Sequence, residues 1–256
     1  MDFERTFDNA AAAYDRARPE YPDELYRDLL RYRPMDERSR ALEIGVGTGK
    51  ASAPILATGC SLIGIEPGES LAAMARKKLG RHNNFSLLVQ TLQDSDFPPE
   101  SFDLIYAATA FHWIPEDYGY PKVHDLLRHG GVFARFAYHA AQDSSRPHLA
   151  EEIQELYDRL IPRTGKAKEF GEADAEALAQ TALRYGFADA EYHLYRFPRD
   201  FTAEGYMLLL STYPDHMNLE PKNRKQLFRG IYDAIERHGG VITVNYIVDL
   251  ELARKE

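Results

Sequence analysis

Between residues 40 and 138, short apolar runs alternate with stretches whose apolar positions recur at helical spacing. The runs 41–45, 62–66, 85–90, 102–107 and 132–138 are rich in branched and aromatic residues and bounded by turn formers, which predicts five strands. Between them, 51–58, 71–79 and about 120–128 read as helices, the last stopped by Gly130-Gly131. Pro98-Pro99-Glu100-Ser101 reads as the turn that feeds the fourth strand. Regular alternation of strand and helix predicts a parallel sheet with helices on both faces. After residue 138 the pattern changes. Segments 149–160 and 174–185 are helical in period, 190–197 is extended, 202–212 and 222–238 are helical again, and 241–250 alternates as a final strand.

Composition narrows the class without naming an activity. A chain of 256 residues with 44% hydrophobic and 28% charged positions can bury one large core, so a single domain is expected. The net charge of −9 argues against a phosphate-binding surface, and no nucleic-acid partner is expected. Cys60 stands alone, which excludes a disulfide framework or a paired-thiol metal site and fits a reducing, cytoplasmic setting. The first residues lack the apolar core of a signal peptide, and no apolar run approaches membrane-spanning length, so no membrane partner is expected. The histidines show no paired-ligand spacing, so no metal is expected.

The chemistry concentrates in Ala41-Leu42-Glu43-Ile44-Gly45-Val46-Gly47-Thr48-Gly49-Lys50 and, at the end of the next strand, Glu66. A strand that feeds a glycine loop, paired with a strand that ends in a carboxylate, suits a nucleoside: the loop approaches the ligand closely and the acid accepts from a ribose diol. The glycines are spaced GxGxG, with Lys50 where a dinucleotide loop GxGxxG would place its last glycine. Glu43 sets a carboxylate near the ligand end of the first strand, which disfavours a pyrophosphate and suits a ligand with ammonium and sulfonium groups.

These residues resemble motif I of the class I S-adenosylmethionine-dependent methyltransferases. The run Ala110-Phe111-His112-Trp113, the N-terminal Phe7, Ala12, Tyr14, Arg18-Pro19 and Tyr21-Pro22, then Leu126–131 and Thr212-Tyr213-Pro214-Asp215, are similar to the type 11 branch, the UbiE-like and trans-aconitate-methyltransferase-like proteins. The resemblance runs over nearly the whole chain. It implies an α/β fold: a doubly wound, Rossmann-like seven-stranded sheet of five parallel strands and a late β6/β7 pair with β7 antiparallel. It also implies a helical lid over the carboxyl edge, drawn from about 1–35, 139–185 and 199–238, around a cofactor-binding core of about 36–138.

The resemblance implies S-adenosyl-L-methionine as cofactor and S-adenosyl-L-homocysteine as product. The expected cofactor contacts are Glu43, Gly45, Val46, Gly47 and Gly49, then Glu66 and Pro67, then Thr91, Leu92 and Gln93, and Ala107, Ala108 and Thr109. The family acid of the third loop falls on Thr91 and its glutamate on Gln93, so backbone groups substitute for the adenine contact. Tyr14, Arg18, Tyr21, His112 and Trp113 are the expected acceptor contacts. His112 is either a proton acceptor or a loop-positioning group, and Arg18 either clamps a carboxylate or pairs with Asp15 or Glu20. The expected function is methyl transfer to an O, N or C nucleophile of a small molecule, carboxylates included, by a monomer or homodimer. The alternatives are an inactive cofactor- or partner-binding module on the same fold and a nicotinamide-dependent oxidoreductase.

Overall fold

A computed structural model describes residues 15–141, 146–161 and 169–256. Tyr14 and the earlier residues of the N-terminal pattern lie outside the described residues. The strands are β1 (Arg40–Ile44), β2 (Ser61–Ile65), β3 (Phe85–Leu88), β4 (Phe102–Ala108), β5 (Leu127–Ala141), β6 (Phe187–Thr202) and β7 (Val241–Lys255). Among the described residues the helices include α1 (Asp23–Tyr32), α2 (Ser52–Leu56), α3 (Glu69–Leu79), α4 (Glu116–Leu126), α5 (Pro147–Leu160), α6 (Glu172–Leu183), α7 (Ala203–Leu210), α8 (Pro214–Met217) and α9 (Pro221–Arg237), with a 3₁₀ turn at Phe111–Trp113.

The sheet order is β3-β2-β1-β4-β5-β7-β6. β1 to β5 run parallel, and β7 lies antiparallel between β5 and β6. Chain order reverses between β1 and β4, so the carboxyl ends of these strands splay apart into a crevice. Near-continuous apolar strands are buried on both faces by helices, as a parallel sheet requires. On one face Leu25 and Leu29 of α1 and Ile55 of α2 pack on Leu62, Leu104, Tyr106 and Phe136. On the other, Val123 and Leu126 of α4 and Ala182 of α6 cover Leu42, Ile105 and Phe133. Each fully buried large apolar side chain contributes about 1.5–3 kcal/mol.

A third cluster forms beyond the sheet, where α5, α7 and α9 bring Leu149, Leu156, Leu209, Leu227 and Ile231 together with Ile242 and Val244 at the start of β7. The insert between β6 and β7 leaves from Thr202, which pairs with Val241. Because β7 runs antiparallel, that junction lies at the carboxyl edge of the parallel strands. The segments expected to form a lid therefore divide. Residues 203–217 and α5 gather at the edge, whereas α1 and α6 pack on the sheet faces. Leu25, Tyr26 and Leu29 give α1 one apolar stripe, and a stripe of that width needs a sheet to cover it.

The expected helix stop at Gly130-Gly131 falls inside β5 instead. The register steps from Phe102↔Leu127 to Leu104↔Val132, and Gly130 takes φ +73° to absorb the extra residues. β6 and β7 also outrun the 190–197 and 241–250 expected of them. Paired along most of their length, they form a ribbon whose outer end is held by the third cluster.

Candidate active site

The glycine loop after β1 turns back at the crevice. Gly45, Gly47 and Gly49 have φ of +71°, +57° and +81°, a region that costs side-chain-bearing residues energy. Their reasons differ. A Cβ on Gly45 would lie 2.5 Å from the Cβ of Ala110, and one on Gly49 would lie 2.7 Å from Leu79 Cδ1. A Cβ on Gly47 would meet nothing within 4 Å, because it would point into open space. Gly45 and Gly47 line a cavity of ≈ 440 Å³ together with the ends of β2, β4 and β5.

Glu66 follows β2 and is buried at 5% exposure. Its Oε2 accepts from Gly47 N at 2.8 Å and its Oε1 from Gly68 N at 2.9 Å. The carboxylate thus joins two loops while lining the cavity beside Pro67 and Leu71. Gln90, Thr91, Leu92 and Gln93 form the adjacent wall. The Thr91 hydroxyl donates to Asp94 Oδ2 at 2.7 Å and accepts from Asp94 N at 3.1 Å, so it closes its own turn.

The Glu43 carboxylate is held by two hydroxyls. It is fully buried below the loop, and its Oε2 accepts from Ser52 Oγ at 2.6 Å and Tyr106 Oη at 2.8 Å. Its Oε1 has no partner among the described residues. Burial pushes its pKa up to about 7; the Ser52 and Tyr106 hydroxyls oppose the rise and nearby Glu66 adds to it. Glu43 lines a much smaller cavity with Val46, Tyr21 and Lys50, not the large one. Gly49 and Ala107 likewise stay out of the large cavity, packed in the structure behind it. Ala108 and Thr109 reach it.

Thr109 has φ +53°, a strained backbone for a β-branched residue. Thr109 N donates to Phe136 O at 2.7 Å, and its hydroxyl pairs with the Tyr21 hydroxyl at 2.7 Å. Tyr21 is buried, stacked on Tyr138 at 4.4 Å and edge-on to Phe136 at 4.8 Å. It braces the cavity wall and does not line the large cavity. Arg18 lines both cavities. Its Nε donates to Thr212 Oγ1 at 3.2 Å, and its guanidinium lies 4.3 Å from the Tyr213 ring centroid. The acids expected to pair with it bind elsewhere: Asp15 meets Lys78 and Thr48, and Glu20 meets Lys50.

His112 and Trp113 stand on the 3₁₀ turn, which Phe111 anchors by packing on Phe133 at 4.7 Å and Tyr120 at 5.1 Å. Both line the large cavity. Desolvation, then the positive field of Arg135, lowers the His112 pKa to about 4, so the ring is neutral near pH 7. The side chain is exposed where it lines the cavity, so solvent screens part of this effect.

Sequence reasoning missed Arg135, Tyr138 and His139 of β5, and Tyr213 and Pro214 before and within α8. The strand period held a signal: Arg135, Ala137 and His139 share one face of β5, and polar residues at alternate positions of a central strand need partners. The site is therefore a crevice with a glycine loop and a carboxylate at one end, and imidazoles and guanidinia at the other. No group of acids, histidines or cysteines that could hold a metal occurs among the described residues. Among them, no helix is long and apolar enough to cross a membrane.

Residues 41–131 match the methyltransferase domain family. An uncharacterized methyltransferase of Anoxybacillus flavithermus is 32% identical over 188 residues, which cover 63% of this chain and 84% of that protein. A structure from Anaeromyxobacter dehalogenans assigned to the type II methyltransferases has a TM-score of 0.64 at 22% identity, covering 93% of this chain and 97% of its own. Phosphoethanolamine N-methyltransferase 2 of Haemonchus contortus, bound to phosphomonomethylethanolamine and S-adenosylhomocysteine, has a TM-score of 0.57 at 18% identity, covering 100% of this chain and 60% of its own. The mycobacterial methyltransferases that match are twice as long as the matched part: the chain covers 51% of each. The chain belongs to the class I S-adenosylmethionine-dependent methyltransferases, and its sheet, with β7 antiparallel, is the fold of that class.

Proposed function

We propose that this protein transfers a methyl group from S-adenosyl-L-methionine to an O, N or C nucleophile of a small molecule. The single observation that carries the reading is the cavity, which joins the Gly47 loop and the Glu66 carboxylate to His112 and Trp113 in one space. The residues fit the cofactor. Gly47 leaves free the volume that a Cβ would fill, and Glu66, a carboxylate on the cavity wall, suits a ribose diol as a charged acceptor. Leu71, Leu92 and Ile65 give apolar walls for a purine, with Gln93 at the rim.

The bound cofactor supplies an activated methyl group. The chain supplies alignment, which in oriented systems is worth about 7–11 kcal/mol, and a route for a proton. Neutral His112 is the proton acceptor for a hydroxyl or amine nucleophile; a general base of this kind contributes about 10²–10⁴-fold. Trp113, Tyr213 and Pro214 wall the acceptor end, and Arg18 sits where the large and small cavities adjoin. Residues 203–217 and α5 act as the cover of the site, and the chain works in the cytoplasm as a monomer or homodimer.

Calorimetric titration with S-adenosylhomocysteine, NAD and NADP tests the reading. Binding of the thioether alone, weakened in Glu66→Ala, is expected. Binding of NAD or NADP in its place would make the chain an oxidoreductase. Cofactor binding with no turnover across a broad acceptor panel would leave a binding module.

A further inference from the structure

The cavity wall carries a cation whose donors the protein does not all use. Arg135 of β5 lines the large cavity and, with Tyr120 and Glu251, a much smaller one, and its side chain is 16% exposed. β7 places Glu251 directly opposite it and Asp249 opposite Ala137. Side chains two residues apart point to one face, so these groups form one cluster.

The guanidinium carbon lies 5.9 Å from the Phe111 ring centroid, and two polar groups meet it. Nη1 donates to Tyr120 Oη at 3.2 Å, and Nε lies 3.3 Å from Glu251 Oε2. That contact is an ion pair by distance only, since both Glu251 oxygens lack a hydrogen bond among the described residues. Burial, then the adjacent Asp249, pushes Glu251 well above the usual carboxylate range, and Arg135 opposes the rise. Asp249 is engaged elsewhere: its Oδ1 accepts from Ala137 N at 2.7 Å and sits 3.2 Å from His139 Nε2. Burial works against the charge on Arg135, but Tyr120, Glu251 and Asp249 together outweigh it, and the group stays protonated. Among the described residues, Nη2 has no hydrogen-bond acceptor.

A buried cation with an unused donor edge on a cavity is costly unless a ligand completes it. We propose that Arg135 anchors an oxyanionic group, carboxylate or phosphate, of the methyl acceptor. The planar guanidinium fork matches such a group, and the neighbouring walls of Ala137, Trp113 and Pro214 offer no competing anion. Anchored there, the acceptor leaves its nucleophile toward His112 on the adjoining wall. The proposal rests on the methyltransferase reading and narrows its substrate class to small acids.

The test is calorimetry on the full chain saturated with S-adenosylhomocysteine. Benzoate, succinate and phenyl phosphate are titrated against benzamide, succinamide and phenol. At least one acid is expected to bind about tenfold or more tighter than its neutral partner, and the carboxylate and phosphate arms tell the two headgroups apart. Arg135→Met should abolish the preference, and Arg135→Lys should keep part of it, while S-adenosylhomocysteine affinity stays within about threefold. Arg135→Lys, which retains the charge, carries the test should Arg135→Met not fold; acid affinity in that variant equal to the wild type would refute anchoring by the fork. Equal binding of acids and neutral partners by the wild type, or a preference that survives Arg135→Met, overturns the proposal. Failure of the wild type to bind S-adenosylhomocysteine would instead remove the methyltransferase reading beneath it.

Discussion

Removing the Glu66 carboxylate separates two roles that the structure gives to one side chain. Its two oxygens hold Gly47 N and Gly68 N, and the same residue lines the cavity. Hydrogen bonds to a charged acceptor are worth about 1.5–3 kcal/mol each. Glu66→Gln keeps the volume but turns one acceptor into a donor, aimed at an amide or at the ligand. Loss of a single charge-assisted bond to a ribose hydroxyl predicts a dissociation constant for S-adenosylhomocysteine raised about 10–150-fold. Glu66→Ala should weaken binding further, because Gly47 and Gly68 then lose their common tether. The two amides can reach cavity water, so the stability cost is expected to stay within about 1–2 kcal/mol, measured by urea denaturation. A 2′-deoxyribose analogue of the ligand isolates the diol contact. Wild type should bind it more weakly than the parent, and Glu66→Ala should scarcely distinguish the two. Wild-type affinity in Glu66→Gln, or an equal deoxy penalty in Glu66→Ala, would refute a direct contact and leave Glu66 as a loop tether.

Glu43 predicts a pH effect of definite sign. Its pKa is raised on folding from 4.5 to about 7, so the folded state holds the proton longer, and this contribution to stability is present below about 4.5 and lost as pH climbs through 7. The window corresponds to a loss on the order of 3 kcal/mol, and Glu43→Gln, a mimic of the neutral acid, should flatten it in urea melts at pH 5 and 7.5. His112 acts in the opposite sense: its lowered pKa costs stability as pH falls from 6.5 toward 4, so His112→Gln should gain relative stability in acid. In turnover assays His112→Ala should cut kcat about 10²–10⁴-fold with S-adenosylhomocysteine affinity kept; a near-normal kcat would leave the ring a positioning group. Gly45→Ala must displace Ala110 and should destabilise the fold more than Gly47→Ala, which meets only the backbone cost of about 1–2 kcal/mol. Gly47→Ala should instead show its larger effect in cofactor titration.

What the sequence determined by itself was local and contiguous. Strand periodicity, the three-glycine turn and the carboxylate closing the next strand are each written in a few adjacent residues, and a right-handed βαβ crossover brings β1 and β2 together in one way. That is why Glu66 and Gly47 could be placed at one crevice from their spacing alone. The limits of β5 were not legible there, because Gly130-Gly131 is equally suited to stop a helix or to kink a strand, and only pairing with Phe102 decides. Glu43 shows the same boundary. The sequence puts a carboxylate beside the loop, but the hydroxyls of Ser52 and Tyr106, one on a helix and one on the neighbouring strand, turn it downward into the core. Tertiary structure alone decided the acceptor end. Arg135 and Glu251 are neighbours through an antiparallel register between distant segments, and Tyr21 meets Thr109 across 88 positions. Such contacts depend on how strands slide and helices cover them, and no periodicity within either segment encodes the partner it will meet.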